Sequence, residues 1–233
     1  MRILITGGDG EFCKHLVEQG KEHSFLTPSK EEADIRHYWK LDRYFYQHQN
    51  DFDYVIHAGA ITRPMVIHED NPSLSIQTNI VGTSNVVLMC ERYNKKIIYI
   101  STDYVYEGKD GNYKETDAMK PFTKYGWSKL GGECAVQMYK NSLILRVCMT
   151  EKPFIHKKAY ANVFTSFAYQ EDVAKKFFKI MNKKGIINIG GEKKTVYNFA
   201  KKDKNDILKK YSKGEFPLKQ DVNLAKLKKL LRK

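Results

Sequence analysis

Arg2-Ile3-Leu4-Ile5-Thr6-Gly7-Gly8-Asp9-Gly10-Glu11-Phe12-Cys13 is the stretch on which the fold turns. A short apolar run stops at a glycine cluster, and the chain then reads as a helix over 11–19. Strand, glycine turn and helix open a βαβ unit. In such a unit a pyrophosphate sits at the helix N-terminus, and the glycines let the backbone approach it. The spacing is Thr6-Gly7-x-x-Gly10-x-x-Cys13, with a small cysteine where a third glycine would serve helix–strand packing. Gly7 and Gly10 are therefore candidate cofactor contacts.

Outward from this unit the alternation continues. The pattern predicts strands over 23–26, 53–57, 96–100, 142–147 and 185–189. Helices are predicted over 37–49, 72–93, 125–139, 171–182, 196–211 and 222–231, with an irregular segment over 148–170. Strands that read as continuous apolar runs suit a sheet covered on both faces. The fold class is α/β: a Rossmann-type doubly wound parallel sheet over 1–150, with a small, shortened substrate lobe over 151–233 intertwined with it. At the tip of the second strand Thr27-Pro28-Ser29-Lys30 offers no carboxylate for ribose hydroxyls, whereas Ser29 and Lys30 suit a 2′-phosphate. This favours NADP, with NAD as the alternative. Asp34 and Ile35 follow at the adenine side. His57-Ala58-Gly59-Ala60 is a small-residue turn against which a cofactor can lie.

Tyr125 and Lys129 are four residues apart in the first turns of a predicted helix, and such residues share one face. A nearby cation favours the ionised phenolate, which makes a phenol a useful proton donor and acceptor near neutrality. Ser101-Thr102-Asp103-Tyr104-Val105-Tyr106 follows the fourth strand. Ligands of open parallel sheets bind beyond the carboxyl ends of the strands, so the Thr102 hydroxyl is placed to meet a substrate.

Composition narrows the classes. The 233 residues, 42% of them hydrophobic, suffice for one core. No run approaches the roughly 18–20 apolar residues of a membrane span, and the opening residues lack a leader pattern. Cys13, Cys90, Cys134 and Cys148 show neither paired nor metal-ligand spacing, so reduced thiols, a cytoplasmic location and no metal are expected. The net charge of +13 is spread along the chain without any nucleic-acid-binding signature. It suits anionic small molecules better than nucleic acid.

Several signals fall in one order: Thr6-Gly7-x-x-Gly10, His57-Ala58-Gly59-Ala60, Asn79-x-x-Gly82-Thr83, Ser101 to Tyr106, and Tyr125-Gly126-x-Ser128-Lys129-x-x-Gly132-Glu133. Their order resembles the extended short-chain dehydrogenase/reductase family, and within it the dTDP-4-dehydrorhamnose reductase branch. Leu145-Arg146-Val147, Glu171-Asp172-Val173-Ala174 and Asn188-Ile189-Gly190-Gly191 continue the likeness. The resemblance implies NAD(P)H-dependent reduction of the 4-keto group of a nucleotide-linked 4-keto-6-deoxy sugar. Tyr125 would donate the proton, Lys129 would lower its pKa and hold the nicotinamide ribose, and Thr102 would hydrogen-bond the carbonyl. It also implies Asp9, Glu11, Phe12, Ala58, Gly59, Ala60, Asn79 and Ser101 around the cofactor, Asn79 chiefly as a structural residue. Thr62, Thr102, Asp103 and Tyr104 would lie near the sugar. A homodimer through a four-helix interface is implied as well.

The segment between Arg146 and Asp172 is shorter than in relatives, which bears on the substrate. Two alternatives stay open. One is a nucleotide-sugar 4-epimerase holding NAD tightly. The other is a non-catalytic regulatory subunit, as in the β subunit of methionine adenosyltransferase. A dehydratase is disfavoured because Tyr104 stands where an acidic residue is expected.

Overall fold

In the computed structural model, which describes residues 1–232, the chain begins β1 (Arg2–Thr6), α1 (Glu11–Gln19), β2 (Ser24–Leu26), α2 (Tyr38–His48) and β3 (Tyr54–His57). Next come α3 (Ile67–Asp70), α4 (Pro72–Ser75), a π-helical stretch Ile76–Gly82 and α5 (Thr83–Arg92). Then follow β4 (Lys96–Thr102), a 3-10 turn Asp103–Val105, α6 (Lys124–Gln137) and β5 (Ser142–Val147). Short strands β6 (Met149–Thr150), β7 (Lys158–Tyr160), β8 (Phe164–Thr165) and β9 (Ala168–Tyr169) lead to α7 (Gln170–Ile180) and β10 (Gly185–Ile189). The chain closes with β11 (Lys194–Thr195), α8 (Val196–Ala200), β12 (Leu208–Lys210) and α9 (Ala225–Leu231).

Six strands form one parallel sheet in the order β10-β5-β4-β3-β1-β2. Successive side chains of a strand point to opposite faces, and both faces are covered. Ile3, Ile5, Ile56, Ile98 and Leu145 pack with Leu16 and Phe177 of α1 and α7. The alternate residues Leu4, Val55, Ile97, Tyr99 and Ile144 pack with Leu41, Val86 and Val136 of α2, α5 and α6. This is the doubly wound sheet expected from the apolar runs. The order reverses at β1, whose neighbours are β2 and β3, so the crevice for a ligand opens between the carboxyl ends of β1 and β3. Gly7 lies there at φ +75°, and a Cβ on it would stand 2.6 Å from Gly59 Cα, so only glycine closes this turn.

Beyond Thr150, α7, β10 and α9 return to the main sheet, where Leu227 of α9 joins the core. The remainder builds a small lobe around Phe154, Ala159, Val163, Val196, Ala200 and Ile207. Here two expectations fail. The helix predicted over 196–211 ends at Ala200, because 201–206 (Lys-Lys-Asp-Lys-Asn-Asp) offers nothing to bury. Leu208–Lys210 instead pairs in parallel with β7. The last helix begins at Ala225 rather than at Val222, since Asp221–Asn223 is held as a bridge to Tyr113 through Tyr113 N–H to Asp221 O (3.1 Å) and Asn223 N–H to Tyr113 O (2.8 Å). The helix predicted over 72–93 is continuous in direction, with Asn71 accepting from Leu74 N–H at its start and the π-helical stretch inside it.

Candidate active site

Thr102 ends β4, and Thr123 caps α6 by accepting from Gly126 N–H at 3.0 Å, which fixes the first turn that carries Tyr125. Helical spacing then sets Lys129 one turn on. The Thr102 hydroxyl lies close enough to the Tyr125 phenol to influence its ionisation, while its own hydrogen bonds run to Asp103 Oδ1 (3.2 Å) and from Tyr104 N–H (3.3 Å). The Tyr125 ring lies 6.1 Å from Tyr104 and 5.2 Å from His68. Lys129 is 1% exposed, with its Nζ 4.1 Å from the centre of the Tyr99 ring.

Burial dominates the charges. It pushes the Tyr125 phenol up, aided by the negative charge of Asp103 and opposed by the neighbouring Thr102 hydroxyl. It pulls the Lys129 ammonium down to about 7 against the attraction of Glu133. The expectation that Lys129 lowers the phenol is thus not met in the protein alone, where desolvation favours the neutral form of both. Below them His57 is fully buried, bonded to Thr6 Oγ1 (2.6 Å) and Thr83 Oγ1 (2.9 Å). Burial, and then the charge of Lys129, push it down to about 3, so it stays a neutral brace.

The remaining site residues separate into groups. Gly10 starts α1 with no side chain capping it, and a Cβ there would meet only Gly7 O at 3.4 Å. Asp9, Glu11 and Phe12 flank that turn, with Phe12 buried and Asp9 and Glu11 exposed. Ala58, Gly59 and Ala60 lie across the crevice, half-buried. Ile35 packs toward Gly59 and Gly82, while Asp34 is held well into the acid range, at about 2, by a 2.6 Å ion pair with Arg36. Ser29 is engaged locally: its N–H donates to Glu32 Oε2 (2.8 Å) and its hydroxyl accepts from Glu32 N–H (3.3 Å). Lys30 is exposed beside it.

Asn79 is wholly buried. Its amide donates to Ile61 O (2.9 Å) and Ser128 Oγ (2.8 Å) and accepts from Ile61 N–H (2.8 Å), which ties the loop after Ala60 to α6. Ser101 donates to Glu133 (2.5 Å). Thr62 is exposed on the loop after β3, and Asp103 is only 3% exposed beneath Thr102.

The model of the RmlD substrate binding domain matches residues 1–176. The chain is a member of that family. The match agrees with the resemblance drawn from the order of the motifs. Among curated relatives, dTDP-4-dehydrorhamnose reductase of Aggregatibacter actinomycetemcomitans is 33% identical, over 64% of this chain and 51% of its own. Methionine adenosyltransferase 2 subunit beta of Bos taurus is 28% identical, over 58% and 42%. The chain thus spans about half the length of the curated relatives it matches. Among solved structures, a hypothetical dTDP-4-dehydrorhamnose reductase from Sulfolobus tokodaii superposes with a TM-score of 0.85 at 24% identity, over 98% of this chain and 94% of that one. The Bacillus anthracis dTDP-4-dehydrorhamnose reductase in complex with NADP gives 0.85 at 22%, over 97% and 90%. These two likenesses confirm the fold.

The crevice has the features that would hold the expected nicotinamide dinucleotide. A glycine turn without Cβ atoms opens an uncapped helix of nine residues beside the sheet's reversal point. Two residues at the mouth escaped the sequence reading. Arg63 pairs with Glu151 across the entrance and acts on the Tyr104 and Tyr125 phenols. Phe216 comes from the far C-terminal segment to 5.6 Å from Tyr104. No local pattern marks either one, because both gain their place through tertiary contacts. Among the described residues no group of acidic, His or Cys side chains is arranged for a metal, and no helix is long and apolar enough to cross a membrane.

Proposed function

We propose that this chain catalyses the NAD(P)H-dependent reduction of the 4-keto group of a nucleotide-linked 4-keto-6-deoxy sugar, as a dTDP-4-dehydrorhamnose reductase does. The observation that carries this reading is the convergence of Thr102, Tyr125 and Lys129 at the carboxyl edge of the sheet, beside the glycine turn. The nicotinamide, when bound, supplies the hydride. Tyr125 gives its proton to the sugar oxygen, and Thr102 hydrogen-bonds that oxygen as charge grows on it. Lys129, brought down by burial to about 7, stabilises the phenolate that remains when it carries its proton, and holds the ribose hydroxyls.

NADP(H) is the preferred cofactor in this reading because Lys30 is exposed at the exit of β2, while the neighbouring Glu32 supports NAD(H). Ile76, Val81, Leu88, Trp127 and Met138 are exposed on the outer faces of the helices over 72–92 and of α6, which supports a homodimer through a four-helix interface.

The relationship to the methionine adenosyltransferase β subunit favours a second reading, a non-catalytic subunit that keeps the fold. Oxidation of NADPH and NADH with dTDP- and UDP-linked 4-keto-6-deoxy sugars separates the two, with Tyr125→Phe as control. Turnover that the substitution abolishes supports the reductase. Cofactor that binds and is never consumed supports the subunit.

A further inference from the structure

Asp103 is a site carboxyl that the reduction as proposed leaves idle, and its surroundings are unusual. It is 3% exposed, Oδ1 lies 3.2 Å from Thr102 Oγ1, and Oδ2 is buried with no hydrogen-bond partner. The groups facing it are the Cys148 thiol just after β5, the Tyr104 phenol of its own turn and the Tyr125 phenol of α6. Burial pushes all three up, so each is neutral, and the thiol is itself bonded to Thr165 of β8 at 3.1 Å. Arg63 bears on the two phenols, and among the described residues no cation forms an ion pair with Asp103. An isolated carboxylate in such a place is costly, and neutralisation removes the cost. Burial accordingly pushes Asp103 up to about 6.

The hydrogen-bond inventory of Thr102 gives this protonation state a consequence. A hydroxyl has one proton to donate and two lone pairs to accept with. One lone pair takes Tyr104 N–H at 3.3 Å. If Asp103 is ionised it can only accept, and it draws the Thr102 proton away from a substrate. If Asp103 is protonated, it donates into the second lone pair and the Thr102 proton is released. We propose that Asp103 is a positioning residue that works as the neutral acid, donating to Thr102 Oγ1 so that Thr102 donates in turn to the oxygen being reduced. The inference rests on the reductase reading above. Asp103 keeps its proton throughout, and the proton transferred is that of Tyr125.

Asp103→Asn keeps a donor and cannot ionise, whereas Asp103→Ala has no donor. In wild type, kcat should fall as pH rises through about 6. In Asp103→Asn that fall should vanish, with kcat below the transition kept within about threefold. Asp103→Ala should lose roughly 10²-fold in kcat with little change in KM. Melting curves and NADPH fluorescence binding verify folding of each variant. Carboxyl carbon-13 NMR of the free protein, with Asp103→Asn to assign the signal, should show a titration near pH 6.

The inference is overturned if Asp103→Asn folds, binds NADPH and is as inactive as Asp103→Ala. It is overturned equally if the carboxyl has finished titrating by about pH 4, the ordinary range. In either case wild-type turnover leaves the reductase reading standing. If the wild type consumes no cofactor with any of the sugars, the reductase reading falls and takes the assignment of Thr102 with it.

Discussion

Two cations are buried to the same depth within one patch of this molecule, and they differ in everything else. Lys129 and Arg146 are each 1% exposed. Arg146 is answered on every side. Its guanidinium donates to Glu133 by Nε (3.1 and 3.2 Å) and Nη2 (2.8 Å), to the Tyr106 hydroxyl (2.9 Å) and to Glu115 O (3.3 Å). Glu133 also accepts from Ser101, and Tyr106 donates to Asn188, so four segments of chain meet at one satisfied network. Lys129, one turn before Glu133 on α6, has among the described residues only an aromatic face beside its Nζ and no carboxylate within ion-pair distance. The same contrast separates two of the buried carboxyls: Glu133 is paired with Arg146, whereas among the described residues Asp103 has no cation and its Oδ2 has no hydrogen-bond partner. Compensated burial holds the architecture, and uncompensated burial leaves a group whose protonation can change, which is what chemistry requires.

That contrast breaks most visibly at the phenol. Tyr125→Phe removes a proton donor and should cut kcat by roughly 10²–10⁴-fold while leaving the melting temperature nearly unchanged. Any substantial residual rate with a native melt would dissociate Tyr125 from proton transfer. On the compensated side, Glu133→Ala or Arg146→Ala strands a buried charge and should cost about 3–5 kcal/mol in urea unfolding. The double substitution should recover part of that loss, since neither charge is then left alone. A cost below about 1 kcal/mol in either single variant would make the network ornamental.

Next in size are opposed pH dependences of stability. Asp103 has a raised folded pKa, so its contribution is present at acid pH and is lost as pH rises through about 6. Lys129 has a depressed folded pKa, so its contribution is present at alkaline pH and is lost as pH falls through about 7. His57, also depressed, opposes Asp103 over the acid range, so wild-type stability alone shows no clean slope. Differences from the wild type resolve them. Relative to wild type, Asp103→Asn should gain about 2–3 kcal/mol between about pH 4 and pH 7. Lys129→Met should be most stabilising near pH 7 and progressively less so toward pH 10. Flat differences over these ranges would show that solvent reaches both groups.

Much of this was legible before any coordinates. The strands announced themselves as apolar runs, and the glycine turn and the Tyr125–Lys129 spacing pointed to the candidate site, because these are local features with local causes. The protonation states were not legible, since spacing reports which groups are near and says nothing about how much water is gone. Neither were the partners of Asn79 and Ser29, which are fixed by Ile61 and Ser128 in one case and by a turn closing on Glu32 in the other. In the lobe the helix predicted over 196–211 failed because lysines at helical spacing resemble a solvated helix face. Pairing of Leu208–Lys210 with β7, across some 50 residues, decided the conformation instead.

The smallest predicted effect sharpens the comparison furthest. Thr123 touches neither Lys129 nor Arg146, yet its hydroxyl fixes the turn of α6 from which Tyr125 projects. Removing such a cap costs about 1 kcal/mol. The network around Glu133 lies two turns away and is held by four segments, so fraying the first turn should leave it intact. Tyr125 sits within the frayed turn, and its placement beside Thr102 depends on that turn. Thr123→Ala should therefore lower the unfolding free energy by about 1 kcal/mol and reduce kcat by more than the same energy would give, roughly tenfold or beyond. Thr123→Ser, which keeps the hydroxyl, should restore both. If kcat fell only in step with folded population, the phenol would be positioned by its packing against Tyr104 and His68, and the helix cap would belong with the architecture rather than with the site.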